Sequence, residues 1–430
     1  MKRVGFYTLG CKVSQYETEA IAEKFEACGY TVCDFSEPCD VYVINTCTVT
    51  READRKSRQV IRRAKKANPE SLVLVCGCYS QRSPGEVAEI VGVDAVIGSA
   101  GKLGLVEIAE NLLKSRARYI GVTDIDTEPF ENMRITRGPR TRVYVKIEDG
   151  CESKCTYCAI PSARGKVRSK PMDDVISEVE GLSSSAYEIV LTGIETGSWG
   201  RDLPGTPTLA DLIVELDRRK SCGRIRLGSL APELLRGDFV EKVSGTEILA
   251  PHFHISIQSG SDNVLRAMKR RYTRAGALAV IESIRASIPR ATFTTDIMVG
   301  FPGESEEDFM DSVRFVREAR FIDAHVFQYS KRHGTPAADM PNQIDESVKH
   351  ERSEKLIAVV KEVQEEELDK LVAEGSSLSV LMEQKRGEYW HGHTDTFVEV
   401  MAKSAADLHG KIVQVRPVTR KNAVLVGEIL

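Results

Sequence analysis

Three of the eleven cysteines in this 430-residue chain fall within one octapeptide, Cys151-Glu152-Ser153-Lys154-Cys155-Thr156-Tyr157-Cys158. The spacing C-x3-C-x2-C, with no fourth Cys and no His beside it, suits a [4Fe-4S] cluster held at three of its irons. The remaining iron is then open to a small chelating ligand. Structural zinc wants four ligands, and the next His after Cys158 is His252. A zinc knuckle is therefore the poorer reading, and three unrelated thiols the blandest one.

A second set of cysteines stands out by its place in the chain. The first hundred residues alternate short apolar runs (4–8, 41–45, 72–75, with a weaker one at 95–98) with helical stretches (17–28, 51–67, 103–113). That alternation predicts a doubly wound α/β domain with a parallel sheet. In VGFYT-LGC, DVYVIN-TC and LVLVC-GC, Cys11, Cys47 and Cys78 each follow the carboxyl end of a strand. Such ends gather on one sheet edge, where ligands bind, and Gly10 and Gly77 permit close backbone approach. A second three-cysteine site is expected there. Cys28, Cys33, Cys39 and Cys222 lack partner spacing and read as packing residues. Cys76 points the same way as Cys78 in an extended strand but one layer deeper, and stays outside the ligand set.

Both triads need a frame. From residue 142 a second βα series begins, with strands expected at 143–147, 188–191, 224–227, 253–257, 292–299 and 324–327. Six strands with crossover helices predict a partial (βα)6 TIM-like barrel whose working face is the carboxyl end of the strands. Polar or glycine-bearing tips occur there in order: Gly150-Cys151, Gly193-Ile194-Glu195, Ser229, Gln258-Ser259-Gly260 and Gly300-Phe301-Pro302-Gly303. A charged amphipathic helix follows over 342–374, with ten acidic and five basic residues. Short strands at 378–383, 397–401, 411–418 and 423–429 then predict a small OB-like β-barrel. The boundaries expected are 1–115, 138–370 and 374–430.

Net charge is -4, which alone suggests no nucleic-acid partner, but the charge is segregated. Residues 51–66 carry eight basic and two acidic side chains, and residues 134–170 ten basic and three acidic. Basic patches flanking cysteine clusters suit a phosphate-backbone binder, although an exposed helix face explains 51–66 as well. In the last module Arg416, Arg420 and Lys421 accompany Tyr389, Trp390 and Phe397, a composition able to stack on RNA; a structural cap is the alternative. No apolar run reaches the ~18 residues a membrane span needs, and no secretory leader is expected. Eleven cysteines without one point to a reducing cytoplasm and metal ligation rather than disulfides.

Taken together, the C-x3-C-x2-C run with an aromatic residue before its last Cys resembles the radical S-adenosylmethionine (SAM) superfamily. There the open iron chelates SAM, and one electron cleaves it to a 5′-deoxyadenosyl radical. The three-part chain resembles the methylthiotransferase family, whose last module is the TRAM domain. TLGCKVSQYETE, NTCTVTREADRKSRQ, GCYSQ and YSKRHGTPAADM resemble the MtaB branch, which modifies threonylcarbamoyladenosine in tRNA.

That resemblance implies two [4Fe-4S] clusters, on Cys11, Cys47 and Cys78 and on Cys151, Cys155 and Cys158, with SAM bound near Gly193, Glu195, Ser229 and Gln258. It also implies a tRNA anticodon stem-loop as substrate, a flavodoxin or ferredoxin as electron donor, and a sulfur donor it does not identify. The implied reaction is methylthiolation of adenine carbon 2 at position 37. Ser14, GIETGSWG and HISIQSGSD depart from the commoner family forms. Arg164, Lys166 and Arg168 would place three cations beside the site, suiting an anionic modification or tRNA phosphates. Alternatives are methylthiolation of isopentenyladenosine or of a ribosomal-protein side chain, or a non-enzymatic iron-sulfur RNA-binding protein.

Overall fold

The computed structural model describes residues 1–48, 51–138, 141–235 and 238–430. Its first sheet is parallel throughout, in the order β2-β1-β3-β4-β5-β6. The strands are β1 Arg3–Thr8, β2 Thr31–Cys33, β3 Val41–Thr46, β4 Leu72–Gly77, β5 Ala95–Ile97 and β6 Tyr119–Gly121. β3 and β4 are buried along their whole length, as their apolar runs require of strands covered on both faces. The sheet runs on through β6, beyond the boundary expected at 115. The connector after it is packed rather than loose, since Met133 and Ile135 are buried in the main core.

The barrel strands are β7 Arg142–Lys146, β10 Glu188–Thr192, β11 Arg224–Leu227, β12 Ser229–Leu230, β13 His252–Gln258, β14 Thr292–Val299 and β15 Asp323–Gln328. A two-stranded ladder, β8 Glu148–Asp149 with β9 Arg168–Ser169, flanks the cysteine loop. The expected third strand is β11, but a further short strand, β12, follows it past Gly228, so the curved wall comes as β11-β10-β7 and β12-β13-β14-β15. A Cβ at Gly228 would sit 2.9 Å from Thr196 Oγ1 and 3.1 Å from Leu191 O, which explains the glycine at the break.

The long helix Glu346–Glu374 leads to a closed barrel of β16 Leu378–Arg386, β17 Tyr389–Thr394, β18 Glu399–Lys403, β19 Ile412–Lys421 and β20 Val424–Ile429. β17 escaped the sequence reading because its apolar positions are diluted by His391, Gly392 and His393.

The RNA-stacking platform expected on this module needs correction. Trp390 is buried and donates its indole N–H to Ala406 O. Arg416 and Arg420 pair with Glu428 and Asp369. Phe397 is taken up by the contact with the partial barrel: its ring lies 4.6 Å from that of His252 and 5.1 Å from that of His393 in its own module, with the Arg226 guanidinium 4.9 Å from its centroid. Arg226 also donates to Thr394 O and Asp395 O. The tip between β17 and β18 thus closes the amino end of the partial barrel. Phe397 holds φ at 67° to do so, a rare conformation for a bulky side chain. Phe397→Ala should lower stability by roughly 2–4 kcal/mol, read as a shift of the urea midpoint; an unmoved midpoint would deny the ring any part in this floor.

Candidate cofactor and active site

In the first domain, strand register brings the three cysteines to one edge. Thr8 pairs with Asn45 and Asn45 with Cys76, so the residues after β1, β3 and β4 emerge side by side. A Cβ added at Gly10 would meet Cys47 Cβ at 3.2 Å and Sγ at 3.5 Å, which places Cys47 against the turn that carries Cys11. Gly77, at φ 100°, has Asn45 Oδ1 within 2.5 Å of its missing Cβ; only glycine fits beside Cys78. Cys76 is fully buried in the core beneath, where burial pushes its thiol up to about 12.

The second triad sits on the loop between β8 and the short helix Ile160–Arg164. Gly150, at φ 94°, lets the loop pass where a Cβ would lie 1.9 Å from Lys166 O. Each sulfur has one donor aimed at it. The Ser153 N–H reaches Cys151 Sγ at 3.4 Å, Arg270 Nη1 reaches Cys155 Sγ at 3.3 Å, and the Ile160 N–H reaches Cys158 Sγ at 3.5 Å. Donors on sulfur are how a protein stabilises ligating thiolates and tunes an iron-sulfur centre, so the loop fits a cluster. Among the described residues no three His, Cys, Asp or Glu side chains stand close enough to share a single metal ion. A four-iron cube takes each thiolate on a separate corner.

The two sites adjoin. The helices Cys78–Arg82 and Ile160–Arg164 pack together, and Arg164 Nε donates to Cys78 Sγ at 3.2 Å. On the other side Arg332 donates to Thr48 Oγ1 at 2.6 Å and to Asp54 at 2.8 Å. The loop after β15 thereby clamps the residue next to Cys47, and Ala337 N–H bonds Thr156 O within the second cysteine loop.

Beside the second triad lies a cleft of about 500 Å³, bordered by Cys151, Cys155, Cys158, Lys154 and Lys166. A cavity of about 390 Å³ opens on the other side of Cys158, walled by Tyr157, Met298, Phe327 and Gln258. Its apolar faces suit a purine, and apolar walls with a few polar groups are what a small-molecule site offers. Gln258 reaches this cavity through a left-handed backbone, φ 71°, where the β13–β14 register shifts; strain of this kind gathers at binding sites.

Glu195 N–H donates to Glu148 Oε2 at 2.8 Å, and Glu195 Oε1 accepts from Ala231 N–H, two residues past Ser229. A Cβ on Gly193 would strike Glu148 Oε2 at 2.5 Å. Burial pushes the Glu195 carboxyl up to about 7, against the opposing pull of Arg270, so it is poised to pair with a cationic group. Glu195 thus lies near Arg270 and the Cys151 sulfur, while Gln258 lines the cavity beside Cys158.

The whole chain aligns at 41% identity over 97% of its length, and 94% of the relative's, with a protein of Bacillus subtilis (strain 168) named threonylcarbamoyladenosine tRNA methylthiotransferase MtaB. The chain belongs to the radical SAM methylthiotransferase family. Residues 3–98 match the model described as uncharacterized protein family UPF0004, and residues 145–316 match the radical SAM superfamily. A tRNA-2-methylthio-N(6)-dimethylallyladenosine synthase of Carboxydothermus hydrogenoformans is 34% identical over 95% of each chain. The radical SAM methyltransferase TsrM of Kitasatospora setae shares the fold, with a TM-score of 0.57 at 15% identity over 79% of this chain and 77% of its own. The methylthiotransferase therefore works with [4Fe-4S] and S-adenosylmethionine as its cofactors.

Two expectations change on this geometry. Arg164 is fully buried and bonds Glu17, Asp149 and Cys78; Arg168 is nearly so and donates to Arg164 O at 2.6 Å. Neither can meet a substrate anion. Lys166 alone of the three is exposed, at the rim of the cleft. Conversely, Arg270, Glu148 and Arg332 were missed. Arg270 lies in the run Lys269-Arg270-Arg271, where nothing in the spacing marks one arginine as sulfur-facing.

Proposed function

We propose that this enzyme methylthiolates carbon 2 of N6-threonylcarbamoyladenosine at position 37 of tRNA, with one [4Fe-4S] cluster on Cys151, Cys155 and Cys158 and a second on Cys11, Cys47 and Cys78. The observation that carries the substrate choice is the order of the relatives. Over nearly equal lengths, 423 and 421 residues, identity is 41% to the threonylcarbamoyladenosine enzyme against 34% to the dimethylallyladenosine enzyme.

The carbon 2 hydrogen of adenine is not acidic, so no side-chain base removes it at neutral pH. S-adenosylmethionine, when bound at the open iron, supplies a 5′-deoxyadenosyl radical for that step and, as a second molecule, the methyl group. The chain's own residues do the rest. Glu195 and the backbone around Gly193 and Ser229 hold the amino-acid end of SAM. Tyr157, Met298 and Phe327 shield its purine from water, and Gln258 fixes it from β13.

The packed helices behind Cys78 and after Cys158 keep both triads at one reacting base. An unpaired base of an anticodon loop can be splayed into such a site. Arg55, Lys56, Arg62, Arg63 and Lys66 form an exposed basic face on the helix Arg51–Ala67, suited to the phosphates of the anticodon stem. Reduction by a flavodoxin or ferredoxin in the cytoplasm completes the reading; among the described residues no helix is long and apolar enough to cross a membrane.

Incubating reconstituted enzyme with tRNA bearing either modification, then measuring nucleosides by mass spectrometry, tests the substrate. Methylthio product is expected from threonylcarbamoyladenosine; product from isopentenyladenosine alone would overturn the assignment.

A further inference from the structure

We infer that Arg164 is a positioning residue that ties the N-terminal cluster to the barrel and raises that cluster's reduction potential through Cys78; the inference rests on the two-cluster reading above. Arg164 belongs to the radical SAM domain, at the end of the helix that follows Cys158, yet its guanidinium crosses to the first domain. Nε donates to Cys78 Sγ at 3.2 Å, while Nη1 binds Glu17 Oε1 at 2.5 Å and Asp149 Oδ2 at 3.2 Å. Its fork serves one sulfur and two carboxylates at once, a geometry lysine cannot reproduce.

The charges around it single out the sulfur. Lys102 and Lys146 also bind Glu17, at 2.5 and 2.9 Å, and Lys146 binds Asp149 at 2.7 Å. Three cations and two carboxylates are buried together, every one of them less than 5% exposed. Of the next groups out, Arg168 on Asp149 and Glu131 near Lys102 offset each other, and burial pushes the carboxyl of Glu148, beside Asp149, well above its usual range and so toward its neutral form. One positive charge is left unmatched in a place where unmatched charge is costly. A Cys78 thiolate, the form a thiol takes on a metal, balances it at hydrogen-bond distance.

Cluster potentials respond to net charge and to hydrogen bonds on the ligating sulfurs. A cation donating to Cys78 favours the reduced, more negative cluster. Arg270 on Cys155 plays the equivalent part at the other triad; at each site, among the described residues, an arginine donates to a cysteine sulfur.

The test uses full-length protein in the Cys155→Ala background, where about four irons should remain on the N-terminal triad. Redox titration followed by electron paramagnetic resonance reads the midpoint potential. Arg164→Lys should lower it, and Arg164→Gln lower it further. Asp149→Asn removes a negative charge from Arg164 without touching its side chain, and should raise the potential. Damage to the interface cannot move the two sets in opposite directions, and if Arg164→Gln fails to fold, Arg164→Lys and Asp149→Asn decide. Unchanged potentials with four irons present, or a fall in Asp149→Asn, would overturn the role of Arg164 alone. A Cys155→Ala protein without iron would overturn the two-cluster reading, and this inference with it.

Discussion

Cys155→Ala should abolish formation of 5′-deoxyadenosine from SAM, while about four of about eight irons per chain remain bound. Cys155 is the most enclosed sulfur of its loop and the one held by Arg270; without it only two ligands remain for the cube. Cys47→Ala should do the reverse. It follows directly on β3 and packs against Gly10, so its loss should empty the N-terminal triad, leave SAM cleavage intact and stop methylthio product. Iron analysis together with chromatography of 5′-deoxyadenosine and modified nucleosides separates the two variants. Full product from Cys47→Ala would deny the N-terminal triad any part in methylthiolation, and a parent protein holding only four irons would remove the second cluster.

Glu17→Ala carries the largest expected loss of stability. Glu17 is fully buried at the junction of the first domain and the barrel, and it bonds Lys102, Lys146 and Arg164. Burial alone would push its carboxyl up, but the three cations overcome that and hold it well below the usual range. Its removal strips Lys102 of its ion pair and leaves Lys146 and Arg164 only Asp149, and breaking such a network from one side costs about 3–5 kcal/mol. Chemical denaturation should show this loss, with the two domains separating before either unfolds. A change under about 1 kcal/mol, the range of an exposed pair, would mean that water already reaches the network.

Apolar packing could hold the domains together more cheaply, yet an apolar seam would put no cation on Cys78. The polar seam continues in Tyr16, whose single hydroxyl proton is shared between Met133 O at 2.6 Å and Glu178 Oε1 at 2.9 Å. Specific geometry at the seam, rather than bulk adhesion, is what the proposed pair of clusters facing one base would require.

Much of this was legible in the residues. C-x3-C-x2-C is a local spacing, so the three cysteines proposed to hold a cluster stand out within eight residues without any fold. The N-terminal triad was readable because strand ends of a parallel sheet must lie on one edge, so the positions of Cys11, Cys47 and Cys78 after β1, β3 and β4 carry spatial information. Barrel strands announced themselves as apolar runs for the same reason. Other features were hidden because they depend on which element meets which across long separations. Arg164 and Cys78 are 86 residues apart, and no pattern in either segment states that a cation near one triad serves a sulfur of the other. Phe397 looked like part of an RNA platform until its loop was seen closing the barrel under His252. Local periodicity and turn chemistry follow from adjacent residues and can be read from order alone. The pairing of buried charges is set only when separate domains exclude water from between them.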